Sequence, residues 1–562
     1  MQHLSALDAL FLYLETPETP MHVGSLFLLE KPKGHRGSFY PNIRRMIESR
    51  MHLAPLFSRK LAFMPFDLAN PMWVHDDNVD LDWHIRLMTL PKPGSVAQLE
   101  AAVAKLHEAM LDRDRPLWQF TIIEGLASGE VAFTSRVHHA GLDGQGGVAL
   151  AQAVLDIEPT AAPRAQKTNT KETPRNTLRH TMPPSAAKML SAAFRNSVAQ
   201  YGKILKAGAG AVKSIGAAGA KTVMALTSSQ AKKMGAPTEQ LSGLANMAEL
   251  AGAVGKSVAK IKTSDTPLQA AKKLLPAGMK LGPRTPLNVA ITGKRSFATA
   301  QIPLSEAKAL AKHFDVKLND IILATVSGAL RLFYADDKAI LNKAMIGAVP
   351  ASLRTPGDTS QNNQVTMMLI NMATNIADPA KRMAAIRESS AGAKMLTGNM
   401  KGAMTAVTSD LPTLGIPWLM GIITPLYKTA VSTNRIPVVA NLVISNVPGP
   451  PMQLYMAGAK LKSYYPVSIV AHGLALNITI HSYAGSLDYG FIAAKEQVPK
   501  LAYLIKCLLA AHQELMAVAI HAAAAMGAAE TSVAKKPVAR KKPIAKKSPG
   551  VAAKRKTRLK NV

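Results

Sequence analysis

The chain has 562 residues, of which 48% are apolar and 5% aromatic, and a formal net charge of +31. More than one domain is expected at this length, and the single cysteine, Cys507, excludes an internal disulfide framework and fits a reducing compartment. The charge is concentrated: residues 161–282 hold 19 Lys and Arg against 4 Asp and Glu, residues 531–562 hold 12 against none, and together they supply 27 of the 31 net charges.

The opening Met1-Gln2-His3-Leu4-Ser5 lacks the basic and apolar regions of a secretory signal. The most apolar stretch, 411–426, is interrupted by Pro412, Pro417 and Pro425 and is shorter than the roughly 20 residues a membrane span needs. A soluble or peripheral protein is therefore expected.

Residues 1–158 read as a mixed α/β domain. A strand is predicted over 22–29 and an amphipathic helix over 96–110, with Leu99, Val103, Leu106 and Met110 near one face and Ser95 as N-cap. Strands follow over 119–124 and 131–137, rich in β-branched and aromatic residues. A helix is predicted over 148–155. Between them lies His138-His139-Ala140-Gly141-Leu142-Asp143-Gly144. Two imidazoles and a carboxylate at a glycine-rich strand-to-helix bend can be aimed rigidly into a cleft, and imidazole is suited to proton abstraction near neutral pH. On local chemistry alone catalysis and a packing role are the main readings of the two histidines, and metal binding the minor one. No Cys or Glu lies nearby at a zinc spacing, and no metal is expected.

Residues 159–285 form a basic crossover: a Pro-, Thr- and Ala-rich linker over 160–184, then Ala-, Gly- and Lys-rich segments with helical spacing. Such basic helices suit an anionic membrane surface, or they form a solvated crossover between domains. Residues 286–526 read as a second α/β domain. Strands are predicted at 289–291, 297–302, 344–349, 365–370 and 441–445. Helices are predicted at 305–314 (N-capped by Ser305), 321–334, 379–395 and 498–516, with a hairpin at 476–482 and 487–493. Residues 527–562 read as a disordered Lys-, Ala- and Pro-rich tail. Such a tail binds polyanions, nucleic acid included, without sequence preference.

Several segments together carry a family resemblance. They are Leu4 to Phe11 with Met21-His22-Val23-Gly24, Trp73-Val74-His75-Asp76, Arg115-Pro116-Leu117-Trp118, His138 to Gly144, Asn319-Asp320, Pro350-Ala351-Ser352-Leu353-Arg354 and Ser445-Asn446-Val447-Pro448-Gly449-Pro450. In this order they resemble the bacterial wax ester synthase/acyl-CoA:diacylglycerol acyltransferase family, within the His-dependent CoA acyltransferases. The long basic crossover and the basic tail depart from the compact pattern.

The resemblance implies two chloramphenicol-acetyltransferase-like α/β domains with a substrate tunnel between them. It implies transfer of a long-chain acyl group from acyl-CoA, a co-substrate rather than a cofactor, to the hydroxyl of diacylglycerol or a fatty alcohol. His139 is the expected general base, acting without an acyl-enzyme. Asn319 is the expected oxyanion donor, with a helix cap as its other reading. His138 is expected to support the base, and Gly144 to permit the turn. Asp143 is expected to fix the loop by pairing with Arg295 or Arg354. Pro116, Leu117 and Trp118 are expected near the acceptor channel, and Ser445 and Asn446 along the tunnel. A cytoplasmic enzyme, peripheral at an anionic inner membrane or lipid-inclusion surface, is expected. A basic binding protein on this scaffold and a carrier-dependent acyltransferase are the alternatives.

Overall fold

The computed structural model describes residues 2–67, 69–142, 144–159, 281–352, 365–409, 416–433 and 437–533. Asp143, Arg354, nearly all of the basic crossover and the tail beyond 533 lie outside the described residues.

The first half supplies β1 (Gln2–His3), α1 (Ala6–Leu14), β2 (His22–Glu30), α2 (Tyr40–Arg50), β3 (Arg59–Ala62), β4 (Met72–His75), β5 (Ile85–Thr89), α3 (Val96–His107), β6 (Trp118–Glu124), β7 (Val131–His138) and α4 (Gly144–Val154). The second half supplies β8 (Arg295–Pro303), α5 (Leu304–His313), α6 (Leu318–Phe333), β9 (Ile346–Ser352), β10 (Val365–Asn371), α7 (Pro379–Ser409) and α8 (Ile416–Ser432). It continues with β11 (Leu442–Pro448), β12 (Tyr455–Met456), β13 (Ala459–Val467), β14 (Leu476–Tyr483), β15 (Ser486–Ala494) and α9 (Leu501–Val533).

Two six-stranded sheets carry the fold, in the orders β12-β13-β2-β7-β6-β5 and β10-β9-β11-β14-β15-β8, beside a small sheet β1-β4-β3. The expected division at 286 is therefore not a division in space. Strands β12 and β13 come from the second half yet belong to the first sheet, where β13 pairs antiparallel with β2 from Lys460↔Glu30 to Val467↔Gly24. Strand β7 is buried along its whole length. That is why its sequence does not alternate apolar with polar residues; the buried Arg136 is satisfied by Leu106 O, Ala109 O and Gln119.

Helix α3 forms as expected, with a complete Ser95–Gln98 capping box. It packs on β8, the outer strand of the second sheet. There Glu100 Oε1 accepts from Thr299 N at 2.7 Å and Thr299 Oγ1 at 2.8 Å. Glu108 Oε1 accepts from Arg295 N at 3.1 Å, and His107 Nε2 meets Ser468 O at 2.8 Å. An outer strand leaves main-chain N–H groups unpaired, and the carboxylates of the opposite half satisfy two of them. The halves are thereby locked by polar bonds as well as by packing.

Several expectations need correction. Residues 289–291 are not a strand, because their main chain bonds to a loop: Ile291 N donates to His472 Nδ1 and Val289 O accepts from Gly473 N. Ser305 does not cap α5; β8 runs to Pro303, which occupies the N-cap with no side-chain bond, so Ser305 falls inside the first turn. Helix α4 starts at Gly144, not at 148. Helix α9 continues to Val533, into the segment read as tail.

In α9 the stretch Leu501–His521 is, by length and composition, apolar enough to cross a membrane, contrary to the sequence reading. Its inner face, however, is core: Leu504, Leu508, Ala511 and Leu515 are buried together with Cys507. Cys507 is thus sealed inside, and burial pushes its thiol pKa up.

Candidate active site

Strand β7 lies between β2 and β6, and its ladder continues for one residue beyond each neighbour. His138 N donates to Leu117 O at 3.0 Å, and His139 N donates to Met21 O at 2.8 Å. The Met-His-Val-Gly, Arg-Pro-Leu-Trp and His-His segments, far apart in sequence, are therefore joined by main-chain bonds at one point. A single 3-10 turn, His139–Gly141, then leads to α4. Gly24 is demanded by the close approach of β2 and β7, since a Cβ there would run into the Ser135 carbonyl.

His138 is completely buried. Its Nδ1 accepts from Ala140 N at 3.1 Å, so the neutral ring carries its proton on Nε2. That nitrogen stands 3.5 Å from Glu15 Oε2. Glu15 is buried, which raises its carboxyl pKa. The His138 contact, the Met21 N–H at 2.9 Å and the Arg113 guanidinium at 2.9 Å outweigh that and hold it below its ordinary value.

His139 is half-buried, with Nδ1 sealed from solvent and without a well-formed hydrogen bond. Phe11 of α1 stacks on its ring, centroids 3.9 Å apart and planes 17° from parallel. Burial pushes its pKa down to about 4, the pull of its own main-chain carbonyl opposing and nearby His138 assisting. A residue's own carbonyl can reach only Nδ1, which favours a proton there and leaves the Nε2 lone pair as the basic site.

Across the β2–β7 ladder, His22 sits opposite His138. It is fully buried, and neither ring nitrogen has a hydrogen-bond partner among the described residues. Burial, then the neighbouring His107, Arg136, His138 and Arg295, hold its pKa well below the ordinary histidine value.

In the second half, Asn319 lies in the first turn of α6, whose N-cap is Lys317. Asn319 is therefore not the helix cap. Its Oδ1 accepts from Asn446 Nδ2 at 3.4 Å, which leaves the Asn319 NH2 as the oriented donor. The structure thus brings together two residues singled out separately. No hydrogen bond links His139 to Asn319. Ser445 lies on β11 opposite Thr479 of β14. Gly449 is required because a Cβ would collide with the His481 ring.

Leu117 and Trp118 are completely buried, and the indole N–H donates to Phe57 O at 3.1 Å. With buried Pro116, they frame the histidine turn; fully enclosed side chains have no free face for an acceptor channel. Arg295 donates to Thr292 O at 2.6 Å, Lys294 O at 3.1 Å and Glu18 O at 2.5 Å, and burial lowers its pKa to about 10. It ties the second half to the loop after α1. Its supposed partner Asp143 and the other candidate, Arg354, lie outside the described residues.

Phe11 and Glu15 were missed as site residues. Phe11 closes the quoted Leu4–Phe11 segment, and Glu15 follows one helical turn later, so a shared face of α1 was the available signal. Among the described residues no group of three or more His, Cys, Asp or Glu side chains converges as metal ligands would.

A family model for the wax ester synthase/diacylglycerol acyltransferase catalytic domain matches residues 4–322, and one for the C-terminal domain of the same family matches residues 361–516. A Mycobacterium tuberculosis (H37Rv) protein named "Probable diacyglycerol O-acyltransferase tgs2" is 31% identical over 513 residues, covering 90% of this chain and 97% of its own. A second relative from the same strain, named "Putative diacyglycerol O-acyltransferase Rv3740c", is 32% identical over 513 residues, covering 91% and 99%. The solved wax ester synthase/diacylglycerol acyltransferase of Marinobacter aquaeolei VT8 superposes with a TM-score of 0.59 at 24% identity, covering 92% of this chain and 100% of that one, a likeness of fold.

Proposed function

The chain belongs to the wax ester synthase/diacylglycerol acyltransferase family and is an acyl-CoA-dependent O-acyltransferase, and from that membership we propose that His139 is the general base for transfer of a long-chain acyl group to diacylglycerol or a fatty alcohol. The carrying observation is the state of this imidazole. It is held on a 3-10 turn anchored by main-chain hydrogen bonds to Leu117 and Met21, stacked under Phe11, and kept neutral well below physiological pH by burial.

In this reading the acceptor hydroxyl gives its proton to His139 Nε2 as its oxygen attacks the thioester carbonyl carbon. The C–S bond then breaks, and the CoA thiolate takes the proton back, leaving an ester and free CoA. Base catalysis of this kind contributes roughly 10²–10⁴-fold, and positioning the two substrates adds to it. The Asn319 amide is the candidate donor to the developing oxyanion. The thioester supplies the activation, so no cofactor is needed. An acyl-enzyme is not invoked, and buried Cys507 is poorly placed to form one.

The basic crossover and tail support a peripheral position on an anionic membrane or lipid-inclusion surface, on the cytoplasmic side. The same charge would give non-specific contact with nucleic acid. Vesicles with and without anionic lipid, tested against full-length protein and protein lacking 534–562, separate these readings.

The deciding experiment supplies purified protein with labelled palmitoyl-CoA and, separately, diacylglycerol and hexadecanol. Labelled triacylglycerol or wax ester is expected, with loss of turnover but not of folding in His139→Ala. Near-normal turnover in that variant would overturn the assignment.

A further inference from the structure

We propose that Glu15 is a positioning residue for acyl transfer, holding the turn that carries His139 through His138 on one side and Met21 on the other. The proposal rests on the assignment of His139 as base.

Helix α1 ends at Glu15, its C-cap. Four residues earlier, Phe11 lies flat on His139, so one end of one helix touches both imidazoles of the motif. The Glu15 carboxylate meets only donors. Oε1 accepts from Met21 N at 2.9 Å, Oε2 accepts from Arg113 Nη2 at 2.9 Å and Nε at 3.2 Å, and His138 Nε2 faces Oε2 at 3.5 Å.

Two one-residue paths lead from this carboxylate to the base. Met21 N donates to Glu15, and the carbonyl of that same residue accepts from His139 N at 2.8 Å. His138 offers its Nε2–H toward Glu15, while its Nδ1 accepts from Ala140 N, the residue that follows His139. The main chain is thus pinned on both sides of the base by groups that converge on one carboxylate.

The segment after α1 is in turn tied to the other half. Lys428 Nζ meets Glu18 Oε1 at 2.7 Å, Arg295 bonds Glu18 O, and Thr424 Oγ1 donates to Tyr13 O at 3.2 Å. The element that orients the base is therefore the one the second half grips.

Because every neighbour of Glu15 is a donor, a carboxamide cannot serve all of them: its NH2 end would face either the Met21 N–H or the Arg113 and His138 pair. Glu15→Gln is isosteric and should fold, with KM for both substrates near the wild-type values. Its kcat should fall about 10- to 100-fold, as expected for a small displacement of a catalytic group.

The decisive readout is a double-mutant cycle with His138→Asn, whose side chain still accepts from Ala140 N but cannot reach Glu15. The loss in the double variant should be clearly smaller than the product of the single losses. A product of independent losses, a change in KM with kcat intact, or an unchanged kcat would each overturn the proposal. If Glu15→Gln does not fold, Glu15→Asp, which keeps the charge but retracts it, is read in its place.

An activity-free measurement separates this from the function itself. Imidazole ¹⁵N NMR of the wild-type protein should show His138 protonated on Nε2, with that signal moved in Glu15→Gln. A wild-type protein without acyl transfer to any alcohol would defeat the function while leaving this signature to report on the strut. A His138 ring protonated on Nδ1 would defeat the strut.

Discussion

Asn446 Nδ2 donates to Asn319 Oδ1 at 3.4 Å, joining an inner strand of the second sheet to the first turn of α6 across 127 residues of sequence. The bond fixes which end of the Asn319 amide is a donor. If that NH2 stabilises the oxyanion, Asn319→Ala should lower kcat by about 10²–10³-fold. Asn446→Ala should lower it less, by freeing the amide to rotate. Steady-state kinetics on both variants check this. Wild-type kcat in Asn319→Ala would exclude the donor role.

The pH dependence of turnover follows from burial of the base. With the His139 pKa pushed down to about 4, the ring is already neutral near pH 6.5, where an ordinary histidine is half protonated. The kcat/KM profile with soluble short-chain substrates should stay flat down to about pH 5. A half-maximal rate near pH 6.5 would show that the free enzyme holds the ring in a more solvated state.

Stability should fall on mild acidification. Burial lowers the pKa of His84, His139 and His481 to about 4 and of His107 to about 3, and it lowers those of His22 and His472 too. Above the ordinary value of 6.5 both folded and unfolded chains hold these rings neutral, so folding gains nothing and loses nothing. As pH drops below it, the unfolded chain takes up protons that the folded one refuses. The penalty then grows until the folded pKa values are reached. Glu100 and Asp488, whose pKa values burial raises, act in the opposite sense, but they are fewer. Between about pH 7.5 and pH 5 a net loss of about 3 kcal/mol or more is expected, roughly 3–4 °C in melting temperature for a fold of this size. A melting temperature that is constant or rises over that range would contradict the burial of this set.

The Glu100–Thr299 contact gives a test of how the halves are held. Glu100→Leu strands the Thr299 N–H on an outer strand and should cost about 1–3 kcal/mol. Glu100→Gln keeps an accepting oxygen and removes a carboxyl whose ionisation burial opposes, so it should be nearly neutral. Urea midpoints of the two variants distinguish them. Equal losses would mean that charge, not hydrogen bonding, holds this seam.

Much of the local structure was legible in the sequence. The Ser95 cap, the β14–β15 hairpin, and the strand, bend and helix around His138 and His139 each depend on residues within about two dozen positions of one another. The misreadings had non-local causes. The 289–291 segment has strand composition, yet its bonds go to His472 and a loop, which no periodicity reveals. Trp118 belongs to a motif that suggested a channel, but Phe57 and His84 from separate elements, with Phe120 of its own strand, seal it in.

By itself the sequence determined the family, the position of the histidine pair at a strand end, and the confinement of positive charge to the crossover and tail. These are properties of residue type and short-range spacing. Tertiary structure alone decided that β13 crosses into the first sheet and that Asn446 holds Asn319. It also decided that Glu15, Met21 and Leu117 converge on the two imidazoles. Those pairings join residues from about twenty to over four hundred positions apart. They are chosen by which faces can be buried together and which hydrogen bonds remain to be satisfied once they are.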